Sequence, residues 1–117
     1  MKTFNKVLKE VMNAYSDCNE VSKSERNLNF LASDFVTVNE AIAIMDKAIG
    51  SYNEFEPKLL DYFNVEGFDV KIKIAREYSV CIYVSGVPEN LVIDKWHNEL
   101  KADEVDREGD LVRVWWD

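Results

Sequence analysis

The chain has few of the residues that interrupt or staple a fold. Four glycines and two prolines in 117 residues leave no room for a flexible linker. No segment recurs at a fixed period and no low-complexity tract occurs, so a single domain over 1–117 is expected. The two cysteines, Cys18 and Cys81, have no C-x-x-C spacing and no neighbouring histidine. That argues against a zinc site or a redox pair and for two buried or half-buried free thiols. There is one histidine, His97, on an expected helix flank. No Ser-His-Asp or Cys-His arrangement and no glycine-rich phosphate loop is legible, so the chain is not expected to be an enzyme or to take a metal or cofactor. Carboxylate pairs such as Glu54 and Glu56 are too common in an acid-rich chain for a glycosidase-type pair to be singled out. No apolar run nears the ~18 residues of a membrane span. The opening residues, MKTFNKVLKEVMNAYSD, are broken by polar side chains at every turn and lack the apolar centre of a signal peptide, so a cytoplasmic protein is expected.

What is present is hydrophobic content and acid. The composition is 47% hydrophobic and 12% aromatic, enough for a chain of this size to remove roughly two thirds of its unfolded surface from water. Acids outnumber bases 22 to 14, for a net charge of −8. The excess is uneven: residues 1–9 carry +3, 10–39 carry −3, 40–69 carry −5, 70–101 carry +1 and 102–117 carry −4. Duplex DNA is bound by cations that neutralise phosphates, so this balance opposes general DNA binding and favours a basic protein surface.

The hydrophobic period splits the chain in two. Phe4, Val7, Leu8, Val11, Met12, Tyr15 and Cys18 fall on one stripe of a helix over about 3–21. Ser22 or Ser24 then offers a cap for a short helix carrying Leu28, Phe30 and Leu31. Thr37 followed by Glu40 makes a capping box for a helix with Val38, Ala41, Ile42, Met45, Ala48, Ile49 and Tyr52 on its apolar side, and Gly50 marks its end. Pro57 opens a further short helix with Leu59, Leu60 and Phe63.

After Gly67 the period falls to two. Phe68, Val70, Ile72 and Ile74 alternate with polar residues, as do Tyr78, Val80, Ile82 and Val84, which predicts a hairpin. Both apolar sets are even-numbered, so a shared face requires a loop of odd length, at 75–77 or 76–78. Pro88 opens a helix with Val92, Ile93, Trp96 and Leu100 on one side, a strand over the segment NLVI being the alternative. Leu111–Trp116 alternates as a last strand. The expectation is an α+β fold: a mainly helical part over 1–66, then a β-β-α-β part over 67–117, with a small, mainly antiparallel sheet packed on helices.

The stretch ADEVDREGDLVRVWWD sets Glu104, Asp106, Glu108 and Asp110 at every second residue. As a calcium loop it places acids and Gly109 correctly but has Trp115 where a bidentate acid is required, and a strand pattern follows in place of a helix. As an extended segment it projects carboxylates about 6.6 Å apart, comparable with successive phosphates of a nucleic-acid strand. Glu54, Glu56, Asp61, Glu66 and Asp69 would extend such a surface. As a solvated turn it needs no function, and Gly109 counts against a continuous row.

The sheet face opposite the apolar set carries Lys71, Lys73, Tyr83, Arg113 and Trp115. Cations between aromatics can hold single-stranded nucleic acid, can protect strand edges, or can form a protein-docking patch, for which Trp, Tyr and Arg are the effective residues. In size, acidity and lack of catalytic motifs the chain resembles the small inhibitors, among them anti-CRISPR proteins, anti-restriction proteins and DNA mimics, that phages and mobile elements direct against nucleic-acid enzymes. It equally resembles an immunity protein or antitoxin that covers a basic toxin. The resemblance, one of composition, implies a protein-binding module acting on a basic partner; the acidic stretch, the basic-aromatic sheet face and the acids before it make Glu104, Asp106, Glu108, Asp110, Arg113, Trp115, Tyr83, Glu54, Glu56 and Asp61 the expected contact residues. A small enzyme and a single-stranded nucleic-acid binder are the alternatives.

Overall fold

The computed structural model describes residues 2–16, 30–67, 69–88 and 93–117. The elements run α1 (Lys2–Ala14), β1 (Phe35–Thr37), α2 (Val38–Ala48), a 3-10 helix (Pro57–Phe63), β2 (Lys71–Glu77), β3 (Ser79–Ser85), α3 (Trp96–Glu99), β4 (Glu104–Glu108) and β5 (Leu111–Trp116). The five strands form one antiparallel sheet in the order β1-β2-β3-β5-β4. This is the expected α+β architecture, and no helix among the described residues is long and apolar enough to cross a membrane.

Alternation along the strands decides which side the helices cover. Val36, Ile72, Ile74, Ile82, Val84, Val112, Val114 and Trp116 share one face and are buried in a cluster with Val7 and Val11 of α1, Ala41, Ile44 and Met45 of α2, and Leu60 and Phe63 of the 3-10 helix. Burying side chains of this size contributes about 1.5–3 kcal/mol each. Trp116 meets the edge of Phe55 at 4.8 Å between ring centroids and donates from Nε1 to the Leu100 carbonyl at 2.8 Å. Trp96 of α3 packs edge-on against Phe63 at 4.9 Å.

Local signals are realised where they are strongest. The Thr37 hydroxyl accepts from the Glu40 amide, and the Glu40 carboxylate accepts from the Thr37 amide, closing the capping box of α2. Gly50, at φ 71°, follows the end of α2 and donates to the Met45 carbonyl. The end of α1 is tied to β2: Arg76 donates to the Ala14 carbonyl at 2.9 Å, and the Tyr15 hydroxyl donates to the Ala75 carbonyl.

The differences from the sequence reading have local causes. α1 ends at Ala14, and residues 17–21 of the expected helix, with Cys18, lie outside the described residues, as do Ser22, Ser24 and Leu28. Phe30 and Leu31 are not helical; the Phe30 carbonyl accepts from the Arg76 amide, and the next residues lead into β1, a strand too short for alternation to show. Tyr52 leaves the face of α2 because Gly50 has turned the chain, and it bridges to Phe55. The hairpin loop is odd, as parity demands, but its apex is Tyr78, so Glu77 and Ser79 pair as strand residues. Pro88 is not helical, and α3 is a single turn from Trp96; residues 89–92, with Val92, and Phe68 lie outside the described residues. Residues 104–108 are a strand, not a solvated turn, because Gly109 (φ 63°) and Asp110 close a two-residue hairpin that pairs them with β5.

Candidate functional site

No described helix packs on the other face of the sheet, and strand pairing assembles that face from distant parts of the chain. One cross-strand row reads Phe35, Lys73, Tyr83, Arg113, Asp106, and the next reads Ala75, Cys81, Trp115, Glu104. Ala75 and Cys81 are small, so the long side chains around them lie over the sheet and converge.

Glu77 is where they meet. Its carboxylate accepts from Arg113 Nε and Nη2, both at 2.8 Å, and from the Tyr83 hydroxyl, while its main-chain carbonyl accepts from Trp115 Nε1 at 2.8 Å. Arg113 Nη1 also reaches Glu104 at 2.9 Å and Asp106 at 3.5 Å. A single guanidinium, its side chain only 13% exposed, is thus shared by three carboxylates. The position that a cation would occupy among Glu77, Glu104 and Asp106 is filled by Arg113, and the acids of the supposed calcium loop lie along a strand. No group of three or more His, Cys, Asp or Glu among the described residues is arranged to hold a metal ion.

The network sets the protonation of its members. Burial disfavours the Glu77 carboxylate, but hydrogen bonds from Tyr83 and Arg113 outweigh it and hold its pKa below the ordinary value. Burial and the bond to Glu77 both push the Tyr83 phenol up. Burial works against the Arg113 charge, and the bonds to Glu104 and Glu77 more than restore it. The Cys81 thiol is free and buried, and burial, with the Glu77 charge next, raises its pKa, so it is a poor nucleophile.

At the Tyr78 end of this network lies a depression of about 480 Å³. Phe30, Leu31, Tyr78, Tyr83 and Trp115 supply its apolar walls, and Arg76, Glu77, Arg113 and Glu104 form a polar side. Leu31 is 87% exposed and Tyr78 68%. Tyr78 also holds a φ of 64°, a left-handed conformation that costs an aromatic residue about 1 kcal/mol or more.

Of the sequence-predicted contact residues, Glu104, Asp106, Arg113, Trp115 and Tyr83 are brought together here. Glu108 shares the face one step along β4, and Asp110 sits at the hairpin tip; neither makes a salt bridge among the described residues. Glu54, Glu56 and Asp61 belong to the helical layer: Glu56 pairs with Lys58 at 3.6 Å and Asp61 accepts from Asn64 at 2.8 Å. They do not continue the row. Nor do Glu66 and Asp69, which precede β2; Asp69 pairs with Lys71 at 2.8 Å. Lys73 stands over the Phe35 ring at 4.7 Å. His97 Nδ1 lies 3.3 Å from the Ala102 carbonyl, apart from the face. Sequence reasoning missed Glu77, Tyr78 and Leu31 as site residues. Placing the loop apex at Tyr78 would have put Glu77 in phase with Tyr83.

Comparison of the chain with protein-family models, with curated proteins and with solved structures finds no match.

Proposed function

We propose that this chain is a protein-binding module that lays the β3-β5-β4 part of its uncovered sheet face on a basic protein partner and so blocks or modulates it. The observation that supports this reading is the joining of Trp115, Tyr83 and Arg113 with an excess of acid on one sheet face that no described helix covers. Three carboxylates share one guanidinium, and Glu108 and Asp110 have no cationic partner among the described residues. Such a surface steers a positively charged partner during encounter, while desolvated aromatics set how long the complex lasts. Nucleic-acid enzymes and basic toxins both present that chemistry.

Single-stranded nucleic-acid binding is the weaker reading. Phosphates need uncommitted cations, whereas Arg113 is held by three acids and Lys71 by Asp69.

The test uses the tagged chain and its Glu108→Lys/Asp110→Lys variant as baits in native lysate. Basic proteins should be retained by the parent and lost, or retained about tenfold less, by the variant. With a retained protein in hand, charge reversal should lower the association rate and flatten its salt dependence. Equal association rates for the two baits would remove the acidic edge from the interface and overturn the reading.

A further inference from the structure

We propose that the depression between Leu31, Tyr78 and Trp115 is the seat for an anchor side chain of that partner, an aromatic or aliphatic group carried beside a lysine or arginine. The inference rests on the protein-binding reading and names the chemistry that the contact selects.

Two features mark the depression. Leu31 and Tyr78 are the two most exposed large apolar side chains described, and both stand at its rim. Tyr78 is moreover held where glycine would be relaxed, at φ 64° on the apex of the hairpin. With most of its ring in solvent, Tyr78 gains little from packing that would offset this backbone cost. An aromatic kept under strain at the mouth of a concave site is accounted for by contact with something that enters it.

Charge decides what enters. Glu77 and Glu104 line one side and are the more exposed charges; of the two arginines in the lining, Arg113 is shared by these acids and Asp106, and Arg76 is buried and donates to the Ala14 carbonyl. A cation next to the apolar group therefore meets carboxylates and the faces of Tyr78 and Trp115. An anionic group finds the Arg113 donors already engaged. A second copy of the chain is disfavoured because each copy carries −8 and would bring like charge to the same rim.

The experiment is a titration of the isotope-labelled full chain, followed by amide, methyl and indole N–H resonances. The probes are tryptamine, its neutral counterpart indole-3-ethanol and its anionic counterpart indole-3-propionate. Tryptamine should give saturable shifts at Leu31, Tyr78 and the Trp115 indole at millimolar concentration, with the neutral probe about threefold weaker and the anion weaker still. Absence of saturable shifts at these residues up to about 10 mM, or equal affinity for the anion, overturns the proposal. Tyr78→Gly and Leu31→Ser should each weaken tryptamine at least about threefold while keeping the dispersed spectrum of the folded chain. Glu108→Lys/Asp110→Lys should leave tryptamine binding unchanged within about twofold. If tryptamine fails while that charge reversal still slows capture of a basic protein, the seat is wrong and the protein-binding reading stands. If tryptamine binds as described while charge reversal changes no association rate, the seat stands and the steering acids do not.

Discussion

The two faces of this sheet are made by the same strands and obey different rules. On the covered face each residue acts largely alone: Val, Ile or Trp at an even position is stabilising wherever it lands under the helices. On the uncovered face no residue is informative alone. Glu77, Tyr83, Glu104 and Arg113 lie in four different strands, and their bonds exist because the register brings them to one spot. One face is specified by pattern, the other by pairing.

The two adjacent tryptophans expose this difference most sharply. Trp116 is fully buried against Phe55, whereas Trp115 lies half-buried on the other face. Trp116→Ala should cost about 3–5 kcal/mol, through lost burial, a cavity and the orphaned Leu100 carbonyl. Trp115→Ala should cost about 1–2 kcal/mol, chiefly its bond to the Glu77 carbonyl and part of its area. Chemical denaturation of both variants checks the ranking, and comparable losses would mean that the uncovered face is as structural as the core.

The same division explains what is legible in the sequence. The capping box at Thr37 and Glu40 is a contact between near neighbours, so it can be read from four residues. The alternation of β2, β3 and β5 follows from one buried face. By contrast β1 is three residues long, and among the described residues of the expected helix only the turn Trp96–Glu99 is α-helical. The acidic stretch is ambiguous because its residues favour a turn by composition; the hairpin at Gly109 and Asp110 makes it a strand. Its acids, Tyr83, Arg113 and Trp115 can be placed on a face by parity. The hub at Glu77 cannot, since it depends on a loop apex one residue from where the pattern suggests.

Removing Arg113 should have the next largest effect. Arg113→Met leaves Glu77, Glu104 and Asp106 facing one another without their shared cation, and a loss of about 2–3 kcal/mol is expected at neutral pH. The loss should shrink as pH falls and the acids are neutralised, which separates repulsion from lost packing. A pH-independent loss would show that the aliphatic stem, not the charge, is what matters.

Glu77 allows a finer comparison by acid titration. Its folded pKa is depressed, with burial opposing and the Tyr83 and Arg113 hydrogen bonds prevailing. Its contribution is therefore complete above the unfolded value of about 4.3 and is lost as pH drops through the lower folded value. The parent chain should lose more of its melting temperature than Glu77→Gln between neutral pH and pH values below about 4. Parallel curves for the two proteins would mean that the carboxylate gains nothing from its charge.

The smallest effect on stability should accompany the largest change in the character of the open face. In Tyr78→Gly the left-handed backbone is relieved, at the expense of a more flexible unfolded chain, and only about a third of a side chain's burial is given up. Stability should stay within about 1 kcal/mol of the parent, on either side. If the strained tyrosine serves the depression, the variant keeps its melting temperature and loses the indole titration at Leu31 and Trp115. A variant that melts far below the parent would instead make Tyr78 a structural residue, and would return the hairpin apex to the covered face's kind of explanation.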